Sequence, residues 1–228
     1  MIFLSNKNLI VISMSVIIGF ALIIMSQHFF DKFIYFSLAN NLISHYISGS
    51  IIRFVILFIS IIIMIKLKLY YFAGLTEIID YNKSKIILPP AIILIILLFF
   101  LPYDNIISKQ LLLSFILFQL LVGFAEEFSM RGILLPLITK YFINTEYAVY
   151  YGLFISSFAF AILHYLSFLS GSQSFESSTN QVIFAFGIGV YFGSLLLRNN
   201  NLIYLSLIHA LVNITGKFKD ITFNGTFV

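Results

Sequence analysis

The chain has 228 residues, of which 61% are hydrophobic and 10% charged, with 27 phenylalanines and a mean hydropathy of +1.05. A soluble domain carries about 25% charged residues, so a water-soluble globule is excluded, and so is a disordered chain, for want of polarity. The net charge of +4 comes from lysines scattered over loops, which excludes a nucleic-acid surface, and the absence of cysteine excludes disulfides, thiol catalysis and cysteine metal sites.

A hydrocarbon core of about 30 Å takes about 20 helical residues to cross, so this length fits a polytopic, all-α bundle folded as a single membrane domain over residues 1–228. Apolar runs place crossings near residues 8–26, 51–72, 86–101, 111–135, 152–169, 182–197 and 202–216, seven spans in all. The first run follows Met1 to Lys7 and no A-x-A site comes after it, so it reads as a helix that spans, not as a signal peptide. Residues 28–48 mix polar and aromatic types (His28, Asp31, Lys32, Asn40, Asn41, His45) and read as an amphipathic surface helix or loop; an eighth crossing there is the alternative. Pro89 and Pro90 interrupt the third run near its start and Pro102 ends it. The polar stretch 170–181 reads as a loop.

Orientation follows from the basic residues. Lys66, Lys68, Lys83 and Lys85 crowd the connection 66–85, whereas 170–181 carries no lysine or arginine. With the first connection inside, Lys7, Arg131, Lys140 and Arg198 also fall inside. Lys217 and Lys219 then fall on the wrong side in a seven-span count. The heavy use of Ile, Asn and Lys suits an AT-rich bacterial genome, hence a bacterial plasma membrane.

Several polar residues interrupt the apolar runs. Glu126 and Glu127 stand side by side after LLLSFILFQLLVGFA, with Arg131 four residues beyond Glu127. A charge at a helix centre costs about 2.5–3.5 kcal/mol on insertion, so these groups must face the bundle interior or a wet cavity. Glu127 and Arg131, at i,i+4, share a face and can pair, which reads as structural support. Glu126 lies about 100° around the helix, a poorly solvated carboxylate suited to act as a general base. His164 and His209 also lie in apolar runs, where a lone histidine is more often a packed core residue than a ligand. Asn213 shares a face with His209, and Phe160 lies one turn before His164. His28 and His45 receive no role.

Depth agrees with a common site. If Pro136 ends its helix, Glu126 lies about 15 Å inside that break, and His209 lies about 14 Å beyond the Arg198–Asn201 turn. His164 lies about 20 Å from the tyrosines at 147, 150 and 151, which mark an interfacial belt. Ala185, Gly189 and Gly193 form a small-residue face that allows close helix approach.

Three motifs now stand in order: Glu126-Glu127-Phe128-Ser129-Met130-Arg131 as EExxxR, Phe160 to His164 as FxxxH, and His209 to Asn213 as HxxxN. On them the chain resembles the CPBP intramembrane protease family, the CAAX-protease and bacteriocin-processing group, over about residues 110–215, the expected motif-bearing core. The resemblance implies an endopeptidase that cuts peptide bonds of a membrane-associated protein or peptide within the bilayer. It implies that Glu126 and His164 activate water, that His209 and Asn213 hold the oxyanion, and that Glu127, Arg131 and Phe160 support them. A zinc ion on Glu126, His164 and His209 and a metal-free route both stay open, although using Glu126 as a ligand removes it as the base. In a bacterium prenylated CAAX proteins are not the expected substrate; a leader or signalling peptide, or self-immunity to a secreted peptide, fits better. The competing readings are a non-catalytic immunity or regulatory scaffold of the same fold and, with no inverted repeat to favour it, a proton-coupled transporter.

Overall fold

A computed structural model describes residues 5–38, 41–75 and 85–222. Seven helices carry the fold and, among the described residues, no strand is present. They are α1 (Asn6–Leu38), α2 (Asn41–Leu67), α3 (Leu88–Phe99), α4 (Lys109–Tyr141), α5 (Ala148–Leu169), α6 (Phe175–Asn199) and α7 (Leu202–Lys217). Stretches within α1, α2, α4, α5 and α6 are long and apolar enough to cross a membrane, so the protein is a multi-pass membrane protein. At 12 residues α3 is about 18 Å long, and at 16 residues α7 is about 24 Å, both short of a full crossing.

Three boundaries differ from the sequence expectation. The region 28–48 is not a separate surface element: α1 runs through it to Leu38 and α2 begins at Asn41. The polar stretch 170–181 is only partly a loop, because Ser174 caps α6 by accepting from the Ser177 N–H at 3.1 Å, and the helix starts at Phe175. Pro89 and Pro90 do not interrupt α3. They occupy its first turn, where a missing N–H costs nothing, while Pro102 follows its end as expected.

α4 is the central and most buried span. Its N-terminal part packs between α2 and α7, its last turns pack on α5, and α5 in turn packs on α6; α1 covers α2. Ser108 caps α4 by accepting from the Leu111 N–H at 3.1 Å, and Asn201 caps α7 by accepting from the Tyr204 N–H at 3.0 Å. Between α6 and α7, Asn200 takes a left-handed conformation with φ 52°, and Gly74 (φ 64°) lies directly against its backbone, where a Cβ would collide with the Asn200 carbonyl. The Leu202 N–H donates to the Ala73 carbonyl at 3.1 Å, which ties the end of α2 to the α6–α7 turn.

At the other end of the bundle, Ile106 and Thr222 form an antiparallel bridge and the Ile107 N–H donates to the Ile221 carbonyl at 3.1 Å. Lys217 and Lys219 therefore lie at the end where α4 begins, opposite Lys66, the side a seven-helix count gives them.

Candidate active site

α4 approaches α7 closely at Gly123. A Cβ there would lie 2.7 Å from the Ser206 carbonyl oxygen and 2.8 Å from the Ala210 nitrogen. Glu126 and Glu127 follow one turn later on α4, and His209 lies between Ser206 and Ala210 in the α7 register, so the backbone contact sets two carboxylates against one imidazole. Glu127 Oε1 lies 2.7 Å from His209 Nδ1, and Glu126 Oε2 lies 3.5 Å from His209 Nε2. The ring is thus anchored on one edge and faces the other glutamate on the opposite edge.

Glu127 also accepts from Arg131 Nη1 at 3.1 Å, as the i,i+4 spacing predicts, and Arg131 Nη2 donates to the Gly189 carbonyl of α6 at 3.2 Å. Glu127 is 0% and Arg131 1% exposed, so this pair is sealed inside the protein. Gly189 is the member of the small-residue face that matters here: a Cβ on it would lie 3.2 Å from Arg131 Nη2 and 3.1 Å from Ser157 Cβ.

Pro136 does not end this helix. Met130–Leu134 form a π turn and the helix continues to Tyr141. Pro136 cannot donate to the carbonyl four residues back, and a wider turn ahead of it lets the helix pass without breaking. Gly132 lies inside that turn, close to Met64 of α2, whose sulfur would lie 2.7 Å from a Cβ. A second departure from α geometry falls at Leu163–Tyr165, a 3₁₀ turn inside α5 that carries His164. Both irregular turns adjoin motif residues, as such turns often do at functional sites.

Phe160 joins the three motifs. Its ring centroid lies 5.1 Å from that of His164 and 6.2 Å from that of His209, and the Arg131 guanidinium sits over it at 4.7 Å. Glu126 and His209 lie near enough to the half-buried His164 to act on it electrostatically. Asn213 is half-buried one turn beyond His209. Glu126, Glu127, Arg131, Phe160, His164 and His209 therefore lie in one polar interior, with Asn213 one turn along α7.

Several contributors escaped the sequence reading. Phe192 of α6 packs against the His209 ring at 5.3 Å and, with Phe160, fixes its plane. Arg53 of α2 is buried, donates to Gln27 Oε1 at 3.2 Å, lies over the Phe118 ring at 5.8 Å, and is a charged neighbour of His164, as is Lys217. The arginine inside IIRFVILF was the available signal. Among the described residues, no group of three His, Asp or Glu side chains could hold a metal ion. The expected zinc set of Glu126, His164 and His209 does not assemble as one, since both His209 nitrogens face carboxylates.

Fold and site together define a multi-pass membrane protein with an acid–imidazole cluster enclosed by its helices. Residues 108–215, which contain all three motifs, match the family model described as type II CAAX prenyl endopeptidase Rce1-like. No curated protein and no solved structure matches the chain.

Proposed function

We propose that the protein is an intramembrane endopeptidase that hydrolyses a peptide bond of a membrane-associated protein or peptide, with the whole chain acting as one membrane domain. The observation that carries this reading is the Glu127–His209–Glu126 array, in which one imidazole is anchored at 2.7 Å and turned toward a second carboxylate at 3.5 Å. Glu126 takes a proton from a water held between it and His164, and the hydroxide attacks the scissile carbonyl carbon. The oxyanion accepts hydrogen bonds from His209 Nε2–H and the Asn213 carboxamide. Collapse of the tetrahedral species breaks the C–N bond, and the proton held by Glu126 passes to the leaving amine. Glu127 holds the His209 ring, Arg131 and Gly189 hold Glu127, and Phe160 sets the spacing of the two imidazoles.

A leader or signalling peptide of a bacterial plasma membrane fits this site as substrate, and the family name makes a C-terminal prenylated CAAX peptide the comparison substrate. The test places wild-type protein, Glu126→Gln and His164→Ala in proteoliposomes with quenched fluorescent membrane peptides of both kinds, with and without a chelator. The expected result is cleavage by the wild type that survives chelation and is lost in both variants, while each variant accumulates and melts as the wild type does. Wild-type cleavage by both variants would overturn the reading and favour a scaffold of the same fold.

A further inference from the structure

The polar interior lies on the side of α4 that faces α5, α6 and α7. On its other side, α1, α2 and the residues Ser129 and Ile133 line a half-open apolar cavity of about 310 Å³. Its wall follows α1 from Ile12 to Ile23, about 16 Å of helix, so the space is long and runs with the helices instead of across them. Ile56 and Ile63 line it from α2, and hydroxyls contribute little because Ser60 and Ser129 are bonded to each other at 2.9 Å.

One end of this slot is charged. Lys66, which lines the cavity, lies in the last turn of α2. Lys7 lies in the first turn of the antiparallel α1, and Lys68 follows α2 directly. α2 contains no acid, and the one acid of α1, Asp31, lies toward its opposite end. A hydrocarbon slot along the helices with ammonium groups at its mouth matches an amphiphile with an apolar tail and an anionic head. We propose that this cavity seats one acyl chain of an anionic phospholipid, with Lys66 meeting the headgroup and Lys7 and Lys68 strengthening the field. The chain would lie against the back of the helix that carries Glu126 and Glu127. The proposal needs only a multi-pass membrane protein and is independent of the hydrolase reading.

Gly19 gives a clean way to fill the space. It lines the cavity, and a Cβ on it meets nothing within 4 Å. The full chain, purified in detergent, is incubated with mixed micelles holding equal phosphatidylglycerol and phosphatidylcholine, and retained lipid is read by native mass spectrometry. The wild type should retain phosphatidylglycerol in preference. Lys66→Gln should lower that preference by about fivefold, and Gly19→Leu should abolish retention. Gly187→Leu, on α6 and also open to free space, should leave retention unchanged. Lys66 is exposed, so its substitution leaves packing intact and carries the test even if Gly19→Leu fails to fold. Equal retention of the two lipids by the wild type, or unchanged preference in Lys66→Gln, overturns the proposal.

Discussion

Gly123→Ala should disable the site without touching any of its polar groups. The added Cβ would lie 2.7 Å from the Ser206 carbonyl oxygen and 2.8 Å from the Ala210 nitrogen, both backbone atoms that no rotamer change can clear. Restoring ordinary contact moves α4 and α7 apart by about 0.7 Å. The Glu127–His209 hydrogen bond, now 2.7 Å, then stretches to about 3.4 Å, where little of it survives. A misplacement approaching 1 Å at reacting groups costs about 10²-fold in rate, and the overpacking itself costs about 1–3 kcal/mol. The assay pairs peptide cleavage in proteoliposomes with thermal unfolding in detergent, using Gly216→Ala as the control because its Cβ, on the facing helix α7, meets nothing within 4 Å. Cleavage within threefold of wild type in Gly123→Ala would show that the α4–α7 contact does not set the site and would refute this account.

The remaining predictions concern the supports of that site and the end of the chain. Arg131→Lys keeps the charge but cannot reach Glu127 and the Gly189 carbonyl at once while lying flat over Phe160; it should cost about 3 kcal/mol, read as a lowered thermal midpoint. Because the chain has no cysteine, Ser60→Cys with Ser129→Cys gives an unambiguous cross-link: the hydroxyls are 2.9 Å apart, so a membrane-permeant oxidant should join α2 to α4 quantitatively, seen after proteolytic nicking on a non-reducing gel. Asp220, beyond α7, has its carboxyl pushed above the ordinary 3.8 by burial, with Lys217 opposing the shift. A raised acid pKa means that its contribution to stability is present below 3.8 and is lost as pH rises through the higher folded value. The thermal midpoint of the wild type should fall across that interval, and Asp220→Asn should remove this component.

Much of this architecture is legible in the sequence, and most of what was missed in the site lies between helices. Runs of apolar residues locate the helices, and polar residues inside them, Glu126, Glu127, Arg131, His164 and His209, stand out because a bilayer penalises them. Spacing along one helix also gave the Glu127–Arg131 pair. It could not give Glu127–His209, 82 positions apart, since no periodicity relates two helices. For the same reason Gly123 looked like any small residue in an apolar run, and Phe192 like any core aromatic. Pro136 misled because its rule assumes α geometry, whereas the π turn at Met130–Leu134 lets the helix run on. The region 28–48 misled because helix α1 continues into polar sequence that hydropathy alone assigns to the surface.

In the proposed mechanism the two adjacent glutamates of one helix supply both a support and a reactive group. Glu127 Oε1 serves Arg131 and His209 at once, at 3.1 and 2.7 Å, and its side chain is fully enclosed. A water bound at Oε1 would have to displace one of these partners, and releasing one inside the protein leaves a charge uncompensated, while Oε2 is sealed from solvent with no hydrogen-bond partner among the described residues. Glu126, one residue before it and about 100° around the helix, has only the longer contact of 3.5 Å and a side chain that is 10% exposed. The more accessible carboxylate is the one open to a substrate water, so in the proposed mechanism the chemistry falls to Glu126 and the rigidity to Glu127. An adjacent pair divides the roles in this way because consecutive helical positions share a depth but not a face.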